Sequence, residues 1–158
     1  MQDSNPINVL CTSVGNDGFQ AVLRALKSAS EPVRVFGADA HRLAYGLYTA
    51  DEGFLSPRRE DVSGLLQRLL DICEKKNIHV LLPLSTEDQF FFALHKPAFE
   101  VRDVRVAVSS PEAVRISNHK HELLAFAVRR HIPVPLHVVV RSREEMKQAL
   151  RDFQADRF

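Results

Sequence analysis

The stretch INVLCTSVGNDGFQAVLRAL, residues 7–26, decides the fold class. Its first seven residues form a largely apolar run, which is typical of a strand buried on both faces. A turn with two glycines follows, and apolar side chains then recur at helical spacing, at Phe19, Val22, Leu23 and Leu26. We expect Asn16 or Asp17 to cap this helix. The stretch therefore predicts the strand–turn–helix unit with which an α/β domain begins.

The same alternation of strand-like runs and helical periods continues along the chain. Further strands are predicted within PVRVFGAD (32–39), AYGLYTADEGFLSP (44–57), IHVLLPL (78–84), VRVAVSS (104–110) and VPLHVVV (134–140). Helices are predicted within EDVSGLLQRLLDICEKK (60–76), STEDQFFFALHK (85–96), HKHELLAFAVRR (119–130) and the segment after residue 142, with a short helix in 44–57. Strands that are apolar on both faces and separated by helices predict a doubly wound, mostly parallel sheet with helices on both faces.

Local signals indicate where several helices begin. Thr86 with Gln89, and Ser142 with Glu145, stand at capping-box spacing. Ser110 precedes a proline at the first position of a short helix, where the missing N–H costs little.

Composition and charge exclude several classes of function. The 158 residues carry a net charge of +1, and 45% of them are hydrophobic. This balance is typical of a soluble domain and argues against a broad nucleic-acid or membrane surface. The polar first residues contain no signal-peptide pattern, so we expect a cytoplasmic protein. Cys11 and Cys73 lie in apolar patterns, which indicates small buried hydrophobes rather than a disulfide framework.

The glycine turn SVGNDG nearly matches the G-x-G-x-x-G fingerprint of dinucleotide-binding domains. Gly15 and Gly18 occupy the second and third glycine positions, and Asp39 follows at the expected distance. Ser13 replaces the first glycine, and Asp17 would place a carboxylate where a pyrophosphate should sit. We therefore favour a turn in which the glycines serve backbone geometry, and an NAD(P)-binding module remains an alternative.

Other polar residues at the predicted carboxyl edge of the sheet are candidates for substrate binding. Gly15 and Asp39 lie there, and so do Thr86, Glu87 and Asp88 in PLSTEDQ, although helix capping also accounts for the last three. We predict no metal site, because the histidines lack ligand spacing. We also predict no catalytic residue in this chain. The segment PRRED (57–61) is typical of a solvated loop and helix start.

Three adjacent phenylalanines, residues 90–92, raise a third possibility for function. At least one of them must point away from the main core, toward another element or an interface. A non-catalytic interaction domain that pairs with itself as a homodimer, or with another protein, is thus a further alternative.

An ordered set of segments resembles one known family. The segments are 9–26, 33–57, 69–88, 104–135 (VRVAVSSPEAVRISNHKHELLAFAVRRHIPVP) and 142–153. In this order they are similar to the N-terminal pre-ATP-grasp domain of ATP-grasp ligases, especially the large subunit of carbamoyl phosphate synthase. The resemblance implies a Rossmann-like pre-ATP-grasp domain at 1–110, a helical connector at 111–132, and the first strand and helix of a truncated ATP-grasp domain at 133–158.

The resemblance also implies an activity. The full-length enzyme would use ATP and Mg to phosphorylate a carboxylate, and an amine would displace the phosphate. Its partners would be the remainder of the ATP-grasp domain and small carboxylate and amine substrates. Lys120 matches a basic position that reaches ATP phosphates, and His131 stands where the family commonly has a left-handed glycine. The lysine-bearing strand and magnesium ligands of similar enzymes are missing after residue 158. We therefore expect an inactive fragment that forms one wall of the cleft and binds no cofactor tightly.

Overall fold

Five parallel strands form one sheet in the computed structural model, which describes residues 5–153. The strands are β1 (Ile7–Thr12), β2 (Val33–Asp39), β3 (Glu52–Leu55), β4 (Val80–Pro83) and β5 (Arg105–Val106). Their order in the sheet is β3-β2-β1-β4-β5, and every neighbouring pair is parallel. The order reverses beside β1, as in a doubly wound fold, and the fold class predicted from the sequence is confirmed.

Helices connect these strands and continue the chain beyond them. They are α1 (Phe19–Lys27), α2 (Gly46–Thr49), α3 (Val62–Lys75), α4 (Thr86–Glu100), α5 (Pro111–Asn118), α6 (Lys120–Arg129) and α7 (Arg143–Asp152). The chain divides into two compact units, Met1–Arg115 and Ile116–Phe158. The sheet belongs to the first unit. The division into three parts given above stays a prediction.

Each face of the sheet carries its own apolar cluster. Leu10, Phe36 and Leu81 pack with side chains of α3 and α4 on one face. Val9, Cys11 and Val35 pack with Phe19 of α1 on the other. Successive residues of β1 thus point to opposite apolar layers, which is why its sequence is apolar without alternation.

Both cysteines are buried and free, as the sequence predicts. Burial raises the pKa of the Cys11 and Cys73 thiols to about 12, so both stay protonated and unreactive near neutral pH.

Two predicted helix caps are wrong by one or two residues. The N-cap of α1 is Gly18, with no side-chain cap, and Asn16 instead accepts a hydrogen bond from the Gly18 N–H at 2.9 Å. The Asn16 side chain therefore orders the turn before the helix rather than the helix itself. The N-cap of α4 is Ser85, whose hydroxyl accepts from the Asp88 N–H at 3.0 Å, rather than Thr86 paired with Gln89.

The second unit contains one confirmed pattern and one wrong one. Ser142 caps α7 by accepting from the Glu145 N–H at 3.1 Å, as predicted. Residues 134–140 form no strand, because a strand requires a neighbour for its N–H and C=O groups and the described chain offers none there. His131 follows the end of α6 and has a φ of 55°, the left-handed conformation in which helices often end.

Asp51 gives the first unit a pH-dependent stability. Burial acts to raise the pKa of Asp51, but hydrogen bonds from Lys27 and the Val35 N–H, with the charges of Lys27 and Arg34, hold that pKa below its ordinary value of 3.8. A pKa that is lower in the folded state stabilises the fold above the unfolded pKa, and the contribution is lost as pH falls through the folded value.

We expect Asp51→Asn to lower the free energy of unfolding near neutral pH by at most about 1 kcal/mol, because the Lys27 and Asp51 side chains are 40% and 34% exposed. The difference from wild type should shrink below about pH 4. Urea unfolding at several pH values measures it, and a difference that is constant down to about pH 3 would contradict the assignment.

Candidate functional site

A cleft with both polar and apolar side chains in its lining lies at the carboxyl ends of the strands in the first unit. Its inner part has a volume of about 100 Å³ and is lined by residues at or after the ends of β1, β2 and β3 and by residues of α3 and α4, among them Ser13, Asp39, Ser56, Arg59 and Asp88. Its outer part, of about 370 Å³, shares Asp39 and Arg59 and adds His41, Arg58 and Glu60. Ligands of doubly wound folds bind at this edge, beside the strand where the order reverses.

Asp88 is the centre of the hydrogen bonding in the inner cleft. One of its carboxylate oxygens accepts from the Ser13 hydroxyl at 2.5 Å and from the Thr12 hydroxyl at 3.2 Å. The other accepts from Nη2 of Arg59 at 2.8 Å. Only 9% of the residue is exposed, so these bonds and the ion pair offset the cost of burying its charge.

Ser13 holds an unusual backbone conformation at this point. Its φ of 55° lies in the left-handed region, which glycine adopts more readily than serine. This is the position of the first glycine in the dinucleotide fingerprint. The chain therefore keeps the tight turn without the glycine, and the Ser13 hydroxyl is bound by Asp88. Such a conformation costs on the order of 1 kcal/mol.

The glycine turn is closed by a carboxylate of the chain itself. Asp39 accepts from the Gly15 N–H at 2.8 Å and from the His41 N–H at 2.8 Å. A Cβ atom on Gly15 would lie 3.1 Å from the Ala44 Cβ, so the absence of a side chain permits close packing. The Gly15 N–H, which a pyrophosphate would need, already donates to the Asp39 carboxylate. This turn is therefore poorly suited to a dinucleotide.

The cleft carries fixed charges of both signs. The guanidinium groups of Arg58 and Arg59 lie at the cleft with the carboxylates of Asp39, Glu60 and Asp88. Such a surface can bind a substrate carboxylate through an arginine and an ammonium group through an aspartate.

The structure brings together two of the four predicted substrate-binding residues. Gly15 and Asp39 are in direct contact, and Asp39 lines the cleft. Thr86 and Glu87 are exposed on the first turn of α4 and are not among the described residues that line it. Lys120 is the exposed first residue of α6, in the second unit. The binding roles of all five residues stay predictions.

Sequence reasoning undervalued three residues of the cleft. Capping accounts for Thr86, Glu87 and Asp88 alike in the sequence, although of the three only Asp88 lines the cleft. Arg59 belongs to PRRED, which is typical of a solvated loop, and it lines the cleft as well. Ser13 was considered only as a missing glycine. Asp88 precedes Phe91 and Phe92 by three and four residues, and this helical spacing is the signal that could place it on the buried side of α4. Nothing in the sequence brings Arg59 to Asp88.

No cluster of three or more histidine, cysteine or acidic side chains that could hold a metal ion occurs among residues 5–153. Within the same residues no helix is long and apolar enough to cross a membrane.

Comparison with known protein families identifies a family match over the sheet and its cleft. Residues 9–107 match the family model described as PylC-like, N-terminal domain. The chain belongs to this family. The match covers β2 to β5, all of β1 except its first two residues, and every residue named above as lining the cleft. The PylC-like N-terminal domain is thus the part of the chain that carries the candidate site.

Solved structures share the fold of this PylC-like domain at low sequence identity. The biotin carboxylase domain of a single-chain bacterial carboxylase is 19% identical, with a TM-score of 0.55, and the match covers 95% of this chain and 34% of that one. The biotin carboxylase subunit of pyruvate carboxylase is 16% identical, with a TM-score of 0.55 and coverages of 94% and 33%. The complete multifunctional pyruvate carboxylase from Rhizobium etli is 17% identical, with a TM-score of 0.55 and coverages of 85% and 13%.

The chain therefore spans about a third or less of the solved proteins that it matches. No curated protein matches it. The family and the fold confirm the resemblance to the pre-ATP-grasp domain of ATP-grasp ligases. The closer likeness to carbamoyl phosphate synthase stays a prediction.

Proposed function

We propose that this chain is the N-terminal part of an ATP-dependent carboxylate–amine ligase and forms one wall of its substrate cleft. One observation carries the proposal: the PylC-like domain has a charged cleft at the carboxyl edge of its parallel sheet, with an arginine fixed by a buried aspartate. Fixed groups of opposite charge suit a reaction that joins a carboxylate to an amine.

The proposed reaction has two steps. A substrate carboxylate oxygen attacks the γ-phosphorus of ATP, which forms an acyl phosphate and releases ADP. The amine nitrogen then attacks the acyl carbon, loses a proton to a base, and expels inorganic phosphate with the carboxylate oxygen attached. The role of the cleft is to bind and orient the carboxylate and amine before these steps.

ATP and Mg belong to the proposed full-length enzyme, and ATP supplies the phosphoryl group that activates the carboxylate. Lys120 fits a contact with ATP phosphates, because it is exposed at the N-terminus of α6, where the helix dipole also favours anions. We assign magnesium binding to the remainder of the ATP-grasp domain, where the resemblance to ATP-grasp ligases places the magnesium ligands. This chain alone is proposed to bind no cofactor tightly and to lack turnover.

The proposed partners follow from the same assignment. They are the remainder of the ATP-grasp domain and small carboxylate and amine substrates, in the cytoplasm, without nucleic acid or membrane. A homodimer remains compatible with this function. The NAD(P)-binding alternative is disfavoured by the Gly15 amide, which already donates to Asp39.

An ADP-release assay tests the proposal. The 158-residue chain, and the same chain extended by the coding sequence that follows it, are incubated with MgATP and panels of carboxylates and amines. We expect the extended protein to release ADP only when both substrates are present, and the short chain to release none. Robust ATP hydrolysis by the short chain would contradict the proposal, as would protection of the Gly15 and Gly18 amides by NAD.

A further inference from the structure

We infer that Arg59 binds the carboxylate of a substrate and that Asp88 positions its guanidinium, an inference that rests on the proposed function. Arg59 lines both the inner and the outer cleft, and 43% of its side chain is exposed. Asp88 is its only hydrogen-bond partner within residues 5–153, and it uses one guanidinium nitrogen, Nη2. The other N–H groups remain available to a ligand.

Asp88 fixes this guanidinium relative to the sheet. Its carboxylate is bound by the hydroxyls of Thr12 and Ser13 at the end of β1, and its own N–H is held by Ser85. Arg59 itself lies in the exposed segment between β3 and α3. The ion pair therefore ties a loop residue to the most buried strand of the unit. A guanidinium held in this way presents a planar fork that matches a carboxylate.

The surrounding charges favour a carboxylate over a phosphate. Asp39 and Glu60 line the same cleft, and the Gly15 amide is already bound to Asp39. A doubly charged phosphate would be repelled by these carboxylates more strongly than a singly charged ligand. Arg58 adds a second guanidinium at the outer cleft, within reach of the rest of an anionic substrate.

Nuclear magnetic resonance of the ¹⁵N-labelled chain tests the inference without any turnover. Acetate and inorganic phosphate are titrated separately at constant ionic strength, so that screening does not differ between them. We expect acetate to give saturable shifts of the Arg59 side-chain N–H and of the Ser13 and Ser56 amides, with weaker binding of phosphate.

Variants separate binding from positioning. Arg59→Gln should raise the Kd for acetate about tenfold or more, since a charge-assisted pair is lost. Arg59→Lys keeps the charge but loses the planar guanidinium fork, so its Kd for acetate should lie between those of wild type and Arg59→Gln. The exposed Arg102, bonded to the Ala98 carbonyl, provides the control Arg102→Gln, which should bind acetate like wild type. Circular dichroism confirms that each variant is folded.

The Asp88→Asn variant distinguishes two roles of Asp88, because the two roles predict opposite changes in the Kd for acetate. If the aspartate positions Arg59, the Kd for acetate should rise about threefold or more; if it only neutralises Arg59, the Kd should fall, and positioning is excluded. Unchanged acetate binding by Arg59→Gln, or tighter binding of phosphate than of acetate, would overturn the inference. If the extended protein releases ADP and Arg59→Gln leaves its KM for the carboxylate unchanged, the inference is refuted and the proposed function still stands. Acetate binding at Arg59 without any ADP release would refute the proposed function alone.

Discussion

Gly46→Ala is expected to lower the free energy of unfolding of the first unit by about 3 kcal/mol or more. A Cβ atom at this position would lie 2.3 Å from the Val14 carbonyl oxygen and 2.6 Å from Cδ1 of Phe19. Both residues are fully buried, and one of the obstructing atoms belongs to the backbone of the turn that follows β1. The clash of the added Cβ atom could be relieved only by a shift of α2 or of the turn after β1. Urea unfolding followed by circular dichroism measures the effect.

Gly18→Ala is the matched control. The nearest atom to a Cβ there is the Asn16 Oδ1 at 3.4 Å, and the backbone of Gly18 is helical, with a φ of −68°. Alanine fits this conformation, so we expect a change within about 0.5 kcal/mol, or a slight stabilisation through the unfolded chain. A Gly46→Ala variant as stable as Gly18→Ala would show that α2 does not pack against the first turn as described.

Phe92→Ala is expected to cost about 3–5 kcal/mol of unfolding free energy. Phe92 is 1% exposed and belongs to the cluster that fills the space between the sheet and helices α3 and α4. Its ring packs 5.1 Å from that of Phe91 and 5.8 Å from that of Phe99. Truncation leaves a cavity in this cluster and removes part of the floor of the inner cleft. Denaturant unfolding measures the cost.

Phe90→Ala provides the comparison on the same helix. Phe90 is 39% exposed, so its truncation should cost about 1 kcal/mol or less. Equal losses of unfolding free energy for the two variants would contradict the burial pattern of α4.

Phe90, and neither Phe91 nor Phe92, is the exposed member of the three adjacent phenylalanines. A charge substitution that probes self-association belongs at Phe90, since at either neighbour it would instead disrupt the core.

The sheet could be predicted from the sequence because its strands carry strong periodic signals. Continuous apolar runs such as that of β1 require cover on both faces, and the intervening helices make parallel pairing the simplest connection. The N-cap of α4 is hard to predict because Ser85 and Thr86 stand side by side, and sequence alone does not decide which one has extended backbone. The start of α1 is hard to predict for another reason, since Gly18 has helical backbone and no side chain caps the helix. Residues 134–140 have strand propensity, but a strand also depends on a partner that local sequence does not specify.

The candidate site was predictable only in part. Asp39 could be placed at the carboxyl edge because it ends a strand. The Asp88–Arg59 ion pair joins residues far apart in sequence, through a loop whose path no periodic pattern specifies. The positive φ of Ser13 was likewise hidden, since the fingerprint assigns glycine to that position. Long-range pairing and strained backbone are properties of the folded chain rather than of local sequence.

Transfer of isotopic oxygen tests the central claim most directly. Once the ADP-release assay has identified a carboxylate substrate of the extended protein, that substrate is supplied with ¹⁸O in its carboxyl group and the released phosphate is analysed by mass spectrometry. A ligase that forms an acyl phosphate transfers one carboxylate oxygen to each phosphate, and this is the result we predict. Phosphate without the label would contradict the claim that this PylC-like domain belongs to a carboxylate-activating enzyme.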